Sequence, residues 1–174
     1  MSVIETERLS LREISVDDAP VILELLNDPS FVRFIGDKGV RSLDEARQYI
    51  TDKLVASYER FGFGLWMVEL RETKEPTGIC GLVKRDALEH ADIGYALLPR
   101  YWFQGFARES AAAVLNYGIG TLGLKRLLAV TDQDNVASIK VLEKIGLKFE
   151  RMVKLSEDGP EIKLFAYDAP TLVD

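Results

Sequence analysis

Residues 64–119 carry the pattern that most restricts the fold. Three apolar, strand-like runs follow one another at residues 64–70, 77–84 and 91–98. The turn Glu72-Thr73-Lys74-Glu75-Pro76 separates the first two. Strands joined by such short links pair antiparallel. A helix then opens at a glycine turn, Gly105, with Ala111, Val114, Leu115 and Ile119 on one face, and Gly123 closes it. It leads into a buried strand, Leu127-Leu128-Ala129-Val130, in a βαβ-like order.

The flanks extend this core. Leu9, Leu11 and, after a slip, Ile14 mark a first strand. Asp17-Asp18-Ala19-Pro20 opens a helix with Val21, Ile22, Leu25 and Leu26 among its apolar positions, and Asn27-Asp28-Pro29 ends it. Ser42-Leu43-Asp44-Glu45 reads as a capping box before a helix carrying Ala46, Tyr49, Ile50, Lys53, Leu54 and Tyr58. A short helix from Asn135 to Ile145 stops at Gly146, and strands near 147–155 and 161–168 finish the chain. The order predicts an α/β (α+β) fold: a mixed, mostly antiparallel sheet with helices on both faces, in one domain over residues 1–174.

Composition narrows the chemistry. The single cysteine, Cys80, and single histidine, His90, leave no internal disulfide and no Cys-based zinc site; no metal is expected. His90 sits in a polar break, where it reads as a solvated turn residue, so a nucleophile–histidine apparatus has little to work with. Cys80 reads as a buried strand residue. The net charge of −6 and the lack of a basic block argue against nucleic-acid binding. That balance suits a cationic acceptor such as an amine, and it equally serves solubility. No apolar run is long enough to span a membrane, and the N-terminus does not read as a secretory signal, so a cytoplasmic protein is expected.

The segment from Asp92 to Glu109 is a strand, a short loop and a helix start. Such a turn aims unpaired backbone N–H groups at one point, and the helix dipole adds partial positive charge, so it accepts a phosphate without a lysine. Gly105 permits close approach of a ligand, and Ala107 adds little bulk. The loop lacks the Gly-Lys-Ser/Thr of a P-loop and the G-x-G-x-x-G spacing of a dinucleotide fold.

These residues resemble the pyrophosphate-binding segment of the GNAT superfamily of acetyltransferases, Gln/Arg-x-x-Gly-x-Gly/Ala. More narrowly, the chain is similar from about residue 5 to about residue 168 to the branch containing the ribosomal-protein alanine acetyltransferases. Thr6-Glu7-Arg8-Leu9-Ser10-Leu11-Arg12 matches that branch's opening signature. Ile93-Gly94-Tyr95, Trp102 before the glycine turn, and the run Asn135 to Gly146 follow in order. Trp102 stands at the Gln/Arg position and Phe103 where glycine or glutamine is more usual. Leu142 stands where some relatives carry a tyrosine that protonates the leaving thiolate.

The resemblance implies a GNAT-type fold, acetyl-CoA as cosubstrate, and transfer of acetyl to a primary amine, either a protein N-terminal α-amine or a small-molecule amine. The transfer would run by direct attack in a ternary complex. A catalytically weak acyl-CoA-binding regulatory module is the alternative. A monomer or homodimer is expected. The coenzyme would lie along Ala96, Leu97, Leu98, Trp102, Phe103, Gln104, Gly105, Phe106, Ala107 and Arg108, with Asn135 and Ser138 opposite. A backbone N–H near Ala96 or Leu97 would stabilise the oxyanion. Asp92 stands where some relatives carry a glutamate base; alternation puts it on one strand face with Gly94 and Ala96, and, one methylene short, it would act through a water. Ser138 would donate to the thiolate in place of the missing tyrosine. Phe31, Phe34, Tyr58 and Trp66 are candidates to line the acceptor pocket.

Overall fold

In the computed structural model, which describes residues 1–171, one sheet holds eight strands. They are β1 (Ser2–Glu5), β2 (Leu9–Arg12), β3 (Leu65–Leu70), β4 (Pro76–Val83), β5 (Asp92–Leu97), β6 (Arg126–Thr131), β7 (Lys148–Val153) and β8 (Ile162–Asp168). They lie side by side in that order, except that β8 sits between β6 and β7. Every neighbouring pair is antiparallel save β5 and β6, which run parallel.

Side chains alternate across the sheet, so each strand feeds two cores. On β3, Trp66 and Val68 join Ile93, Leu97 and Leu127 beneath α5 (Phe106–Asn116) and α6 (Val136–Lys144). Met67 turns the other way, with Ile79, to meet α1 (Ala19–Leu26) and α3 (Leu43–Tyr49). Both faces are therefore covered, and the mixed, mostly antiparallel sheet read from the sequence is the observed one.

Local structure departs from the sequence reading where weak signals compete. β1 precedes the first expected strand and is short and half-buried, so its pattern gives little away. The strand at Leu9 ends at Arg12; Ile14 lies outside it. Pro29 both follows one helix and opens another, α2 (Pro29–Phe34), because Asp28 accepts the Ser30 N–H at 3.0 Å. The helix expected beyond Ser42 is α3, a π-helical stretch at Ile50–Val55, then α4 (Ala56–Phe61). Ser42 caps the Glu45 N–H at 3.1 Å, but its hydroxyl meets the Glu45 carboxylate, so the reciprocal half of the box does not form. A second π-helical stretch, Tyr117–Thr121, ends the α5 helix.

Candidate functional site

β5 and β6 touch at one register pair, Asp92 with Leu128, and the Leu128 N–H donates to the Ala91 carbonyl at 3.0 Å. Beyond that point the ladder stops and a cleft opens between the strands. The β4–β5 register runs without a break, and the Leu98 N–H donates to the Thr77 carbonyl at 2.9 Å. Backbone alternation then turns the Gly94 and Ala96 amides toward β4, and those of Ile93, Tyr95 and Leu97 toward the cleft. Of the two amides proposed for an oxyanion, Leu97 faces the cleft and Ala96 does not. The Trp102 indole N–H donates to the Leu97 carbonyl at 2.8 Å, which fixes the strand end and leaves that N–H as the open group.

A cavity of about 810 Å³ continues from the cleft and is lined by Tyr95, Asn135, Ser138 and Leu142 on one side and Phe31 and Phe34 on the other. Asn135 caps α6 by accepting the Ser138 N–H at 3.3 Å. The Ser138 hydroxyl lies 2.8 Å from the Tyr95 hydroxyl, so two hydroxyl groups meet on the cavity wall. Burial pushes the Tyr95 phenol up to about 12; the Ser138 hydrogen bond opposes this and the Cys80 thiol adds to it. Tyr95 therefore keeps its proton at neutral pH and remains a donor. Sequence reasoning missed Tyr95 as a site residue, although Ile93-Gly94-Tyr95 carried part of the resemblance: strand alternation took attention to the Asp92 face. Leu142 is 1% exposed and packs in the core beside the pair.

Asp92 lies at the closed end of the cleft, 1% exposed, with the Arg85 Nε at 2.9 Å. Burial raises its pKa while the Arg85 guanidinium pulls it down, and burial prevails. It lines the same cavity. Tyr58 and Trp66 do not. Tyr58 donates to the Leu65 carbonyl at 2.5 Å and accepts the Ile14 N–H at 3.1 Å, tying a helix to β3 and to the segment that follows β2. Trp66 is 2% exposed, edge-on to Tyr117 at 5.5 Å. Ser57 and Phe61, unmarked in the sequence, do line the cavity.

The loop before α5 lies outside this cavity. Gly105 adopts φ +82°, and Glu109 is the first residue whose N–H bonds back, to the Gly105 carbonyl at 3.0 Å. The N–H groups of Phe106, Ala107 and Arg108 have no acceptor among the described residues. Unpaired N–H groups at a helix start are able to take an anion. Phe103 stands out into solvent, 98% exposed, at φ +61°, a left-handed conformation that glycine would hold without strain. Leu98 is committed to the α1–α3 core. The Gln104 side chain folds back, its amide N–H donating to the Arg100 carbonyl at 3.2 Å.

Arg8, from the opening signature, holds this loop. Its Nη1 donates to the Gln104 carbonyl at 2.9 Å, its Nε pairs with Glu109 at 2.8 Å, and its guanidinium stacks on the Phe106 ring at 4.5 Å. Thr6 donates to the same Glu109 at 2.6 Å. Arg8→Ala removes the three contacts of the Arg8 side chain and leaves the Thr6–Glu109 bond. Because the ion pair is half-exposed, we expect only about 1 kcal/mol of stability lost, against a several-fold weaker acetyl-CoA affinity; denaturation and calorimetric titration read the two separately.

The acetyltransferase (GNAT) domain family matches residues 8–148. The chain belongs to the GNAT acetyltransferase family. The uncharacterized N-acetyltransferase YoaA of Bacillus subtilis is 34% identical over 153 residues, covering 87% of this chain and 86% of its own. The acetyltransferase of Agrobacterium tumefaciens superposes with a TM-score of 0.81 at 26% identity, over 95% of this chain and 94% of the other. A ribosomal L7/L12 α-N-protein acetyltransferase, RimL, solved with coenzyme A, superposes at 0.83 with 19% identity, over 97% and 98% of the two chains, which shows a shared fold. The protein is an acetyl-CoA-dependent N-acetyltransferase. The β5–β6 cleft offers an open strand edge, and the start of α5 offers three unpaired N–H groups. Among the described residues no helix is long and apolar enough to cross a membrane, and no cluster of His, Cys, Asp or Glu is placed to hold a metal.

Proposed function

We propose that the cleft transfers acetyl directly to a primary amine, a protein N-terminal α-amine or that of a small molecule, with the Tyr95–Ser138 hydroxyl pair donating to the departing thiolate. The observation that carries this reading is the 2.8 Å contact between those hydroxyls on the cavity wall, with Tyr95 two residues along β5 from the open Leu97 N–H. Acetyl-CoA brings the activated acyl group. The phosphate-side N–H groups of Phe106, Ala107 and Arg108 anchor it. Leu97 N–H is the donor for charge developing on the acetyl oxygen. Tyr95, protonated at neutral pH, passes its proton through Ser138 or gives it directly.

An attacking α-amine of pKa ~8 costs roughly 1.4 kcal/mol to deprotonate at pH 7, against about 4.6 for a lysine side chain. Water in the cavity suffices for the former, with buried Asp92 as the eventual proton acceptor at the closed end. Incubation with acetyl-CoA and an amine panel, read by thiol release, tests the transfer. Acetyl-CoA alone at ~100 times its dissociation constant should add about 2.7 kcal/mol of stability, or roughly 5–10 °C in Tm for a chain this size. An unchanged Tm would remove the coenzyme assignment, whatever the panel shows.

A further inference from the structure

Most arginines of this protein are answered by carboxylates. Arg8, Arg12, Arg41, Arg47, Arg71, Arg85, Arg100 and Arg126 each have an acid within ion-pair distance. Among the described residues Arg33, Arg60, Arg108 and Arg151 have none. Arg108 stands at the helix start that takes the pyrophosphate. Arg33 and Arg60 line the large cavity, on its acceptor side. Their guanidinium groups lie over the Phe34 and Phe61 rings at 4.7 and 4.9 Å, which orients them without neutralising them.

Two lysines reinforce the pattern. Lys38 and Lys53 line the same cavity, and neither has a carboxylate partner among the described residues. Lys38 rides on an exposed loop, yet burial of its ammonium lowers its pKa, and the charges of Arg85 and Lys53 lower it further. The three cations are thus close enough to repel one another. None of the cavity's acids lies within ion-pair distance of these four: Asp92 is held by Arg85, and Asp52, Asp86 and Asp132 pair with no cation among the described residues, so the lining, with Lys84 and Arg85, holds six cations against four acids. A chain of net charge −6 has gathered uncompensated positive charge in one cavity.

Uncompensated, mutually repelling cations in a cavity are stabilised by an anion that fills it. We propose that the acceptor is an amine bearing a carboxylate, bound by Lys38 and Lys53 with Arg33 and Arg60 at the mouth. The acidic overall balance, which by itself suits a cationic acceptor, is reversed locally. The same cations favour the reaction: positive surroundings lower the pKa of the incoming ammonium and raise the share of neutral nucleophile. The inference rests on amine transfer taking place in this cavity. The carboxylate has two sources, the α-carboxylate of a free amino acid or the side chain of an acidic residue next to a peptide N-terminus.

Matched pairs of acceptors decide it. Free amino acids are compared with their own carboxamides, and Ser-Asp and Ser-Glu N-terminal peptides with Ser-Asn and Ser-Gln, by thiol release from acetyl-CoA. The carboxylate member of at least one kind of pair should show kcat/KM about tenfold or more above its neutral partner, and the kind that does so names the source. Lys38→Glu with Lys53→Glu should collapse that ratio, whereas Lys125→Glu with Lys148→Glu, an equal charge change at exposed positions away from the cavity, should leave it. Equal rates within every pair, or a preference for polyamines, would overturn the proposal. Where no amine of either kind is turned over, the transfer reading itself fails. Binding of N-acetyl amino acids against their amides to the coenzyme-loaded protein then still decides the carboxylate site: it stands if the acids bind about tenfold more tightly and the double lysine variant loses that margin, and it falls otherwise.

Discussion

Gly105→Val should raise the dissociation constant for acetyl-CoA about 100-fold or more, roughly 2.7 kcal/mol. Gly105 sits at φ +82°, directly before the three unpaired N–H groups of α5. A side chain there stands between the backbone and any pyrophosphate it cradles. It also meets strain: a Cβ built at Gly105 comes within 3.2 Å of the Arg8 guanidinium, and valine is disfavoured at positive φ. We therefore expect a fold cost of about 1–3 kcal/mol from the backbone alone. Gly105→Asn separates the two effects, since asparagine tolerates the left-handed region. It should recover most of the Tm of the unliganded protein while binding acetyl-CoA poorly. Parent-like acetyl-CoA affinity in both variants would show that this loop is not the phosphate site.

Tyr95→Phe and Ser138→Ala should each lower kcat about 10–100-fold, or ~1.4–2.7 kcal/mol, with acetyl-CoA affinity nearly unchanged. A hydrogen bond made only as charge develops on sulfur lowers the barrier without tightening the ground state. Because the two hydroxyls touch at 2.8 Å, they act as a unit, and the double variant should lose little more than the worse single one. Additive losses would mean two independent roles. Leu142→Tyr in the Ser138→Ala background places a phenol where some relatives have one and is expected to restore part of kcat. If both single variants keep parental kcat, the thiolate takes its proton from water or from the acceptor's ammonium, and the pair is structural.

The hydrophobic periods were enough to read the architecture. The apolar runs at residues 64–70, 77–84 and 91–98 and the helical spacing after Gly105 report local burial, and a strand covered on both faces reads as a continuous run. The helix start at Gly105 was legible for the same reason: glycine marks a backbone that turns left-handed, and N–H groups at a helix start are unpaired whatever surrounds them. The signature around Thr6 and Arg8 was visible as a pattern, but not its purpose. Its partner, Glu109, is about 100 residues away, and no local rule joins them.

Tertiary structure alone decided the rest. The cleft exists because β5 and β6 pair at a single position and then part, a fact about two strands separated by a helix rather than about either sequence. That splay brings Tyr95 from a strand against Ser138 from a helix 43 residues on, while the sequence pointed to Ser138 and Asp92 separately. It also sorts the aromatics, leaving Phe31 and Phe34 on the cavity and sinking Trp66 into the core, although all read alike as apolar residues at helical or strand spacing. Charge sorts in the same way. The sequence determines a net charge of −6, but only the packing of α2, the π-helical stretch and the β4–β5 loop around one cavity decides that Arg33, Lys38, Lys53 and Arg60 face it without acids of their own, because Coulomb energy depends on separation in space and not along the chain.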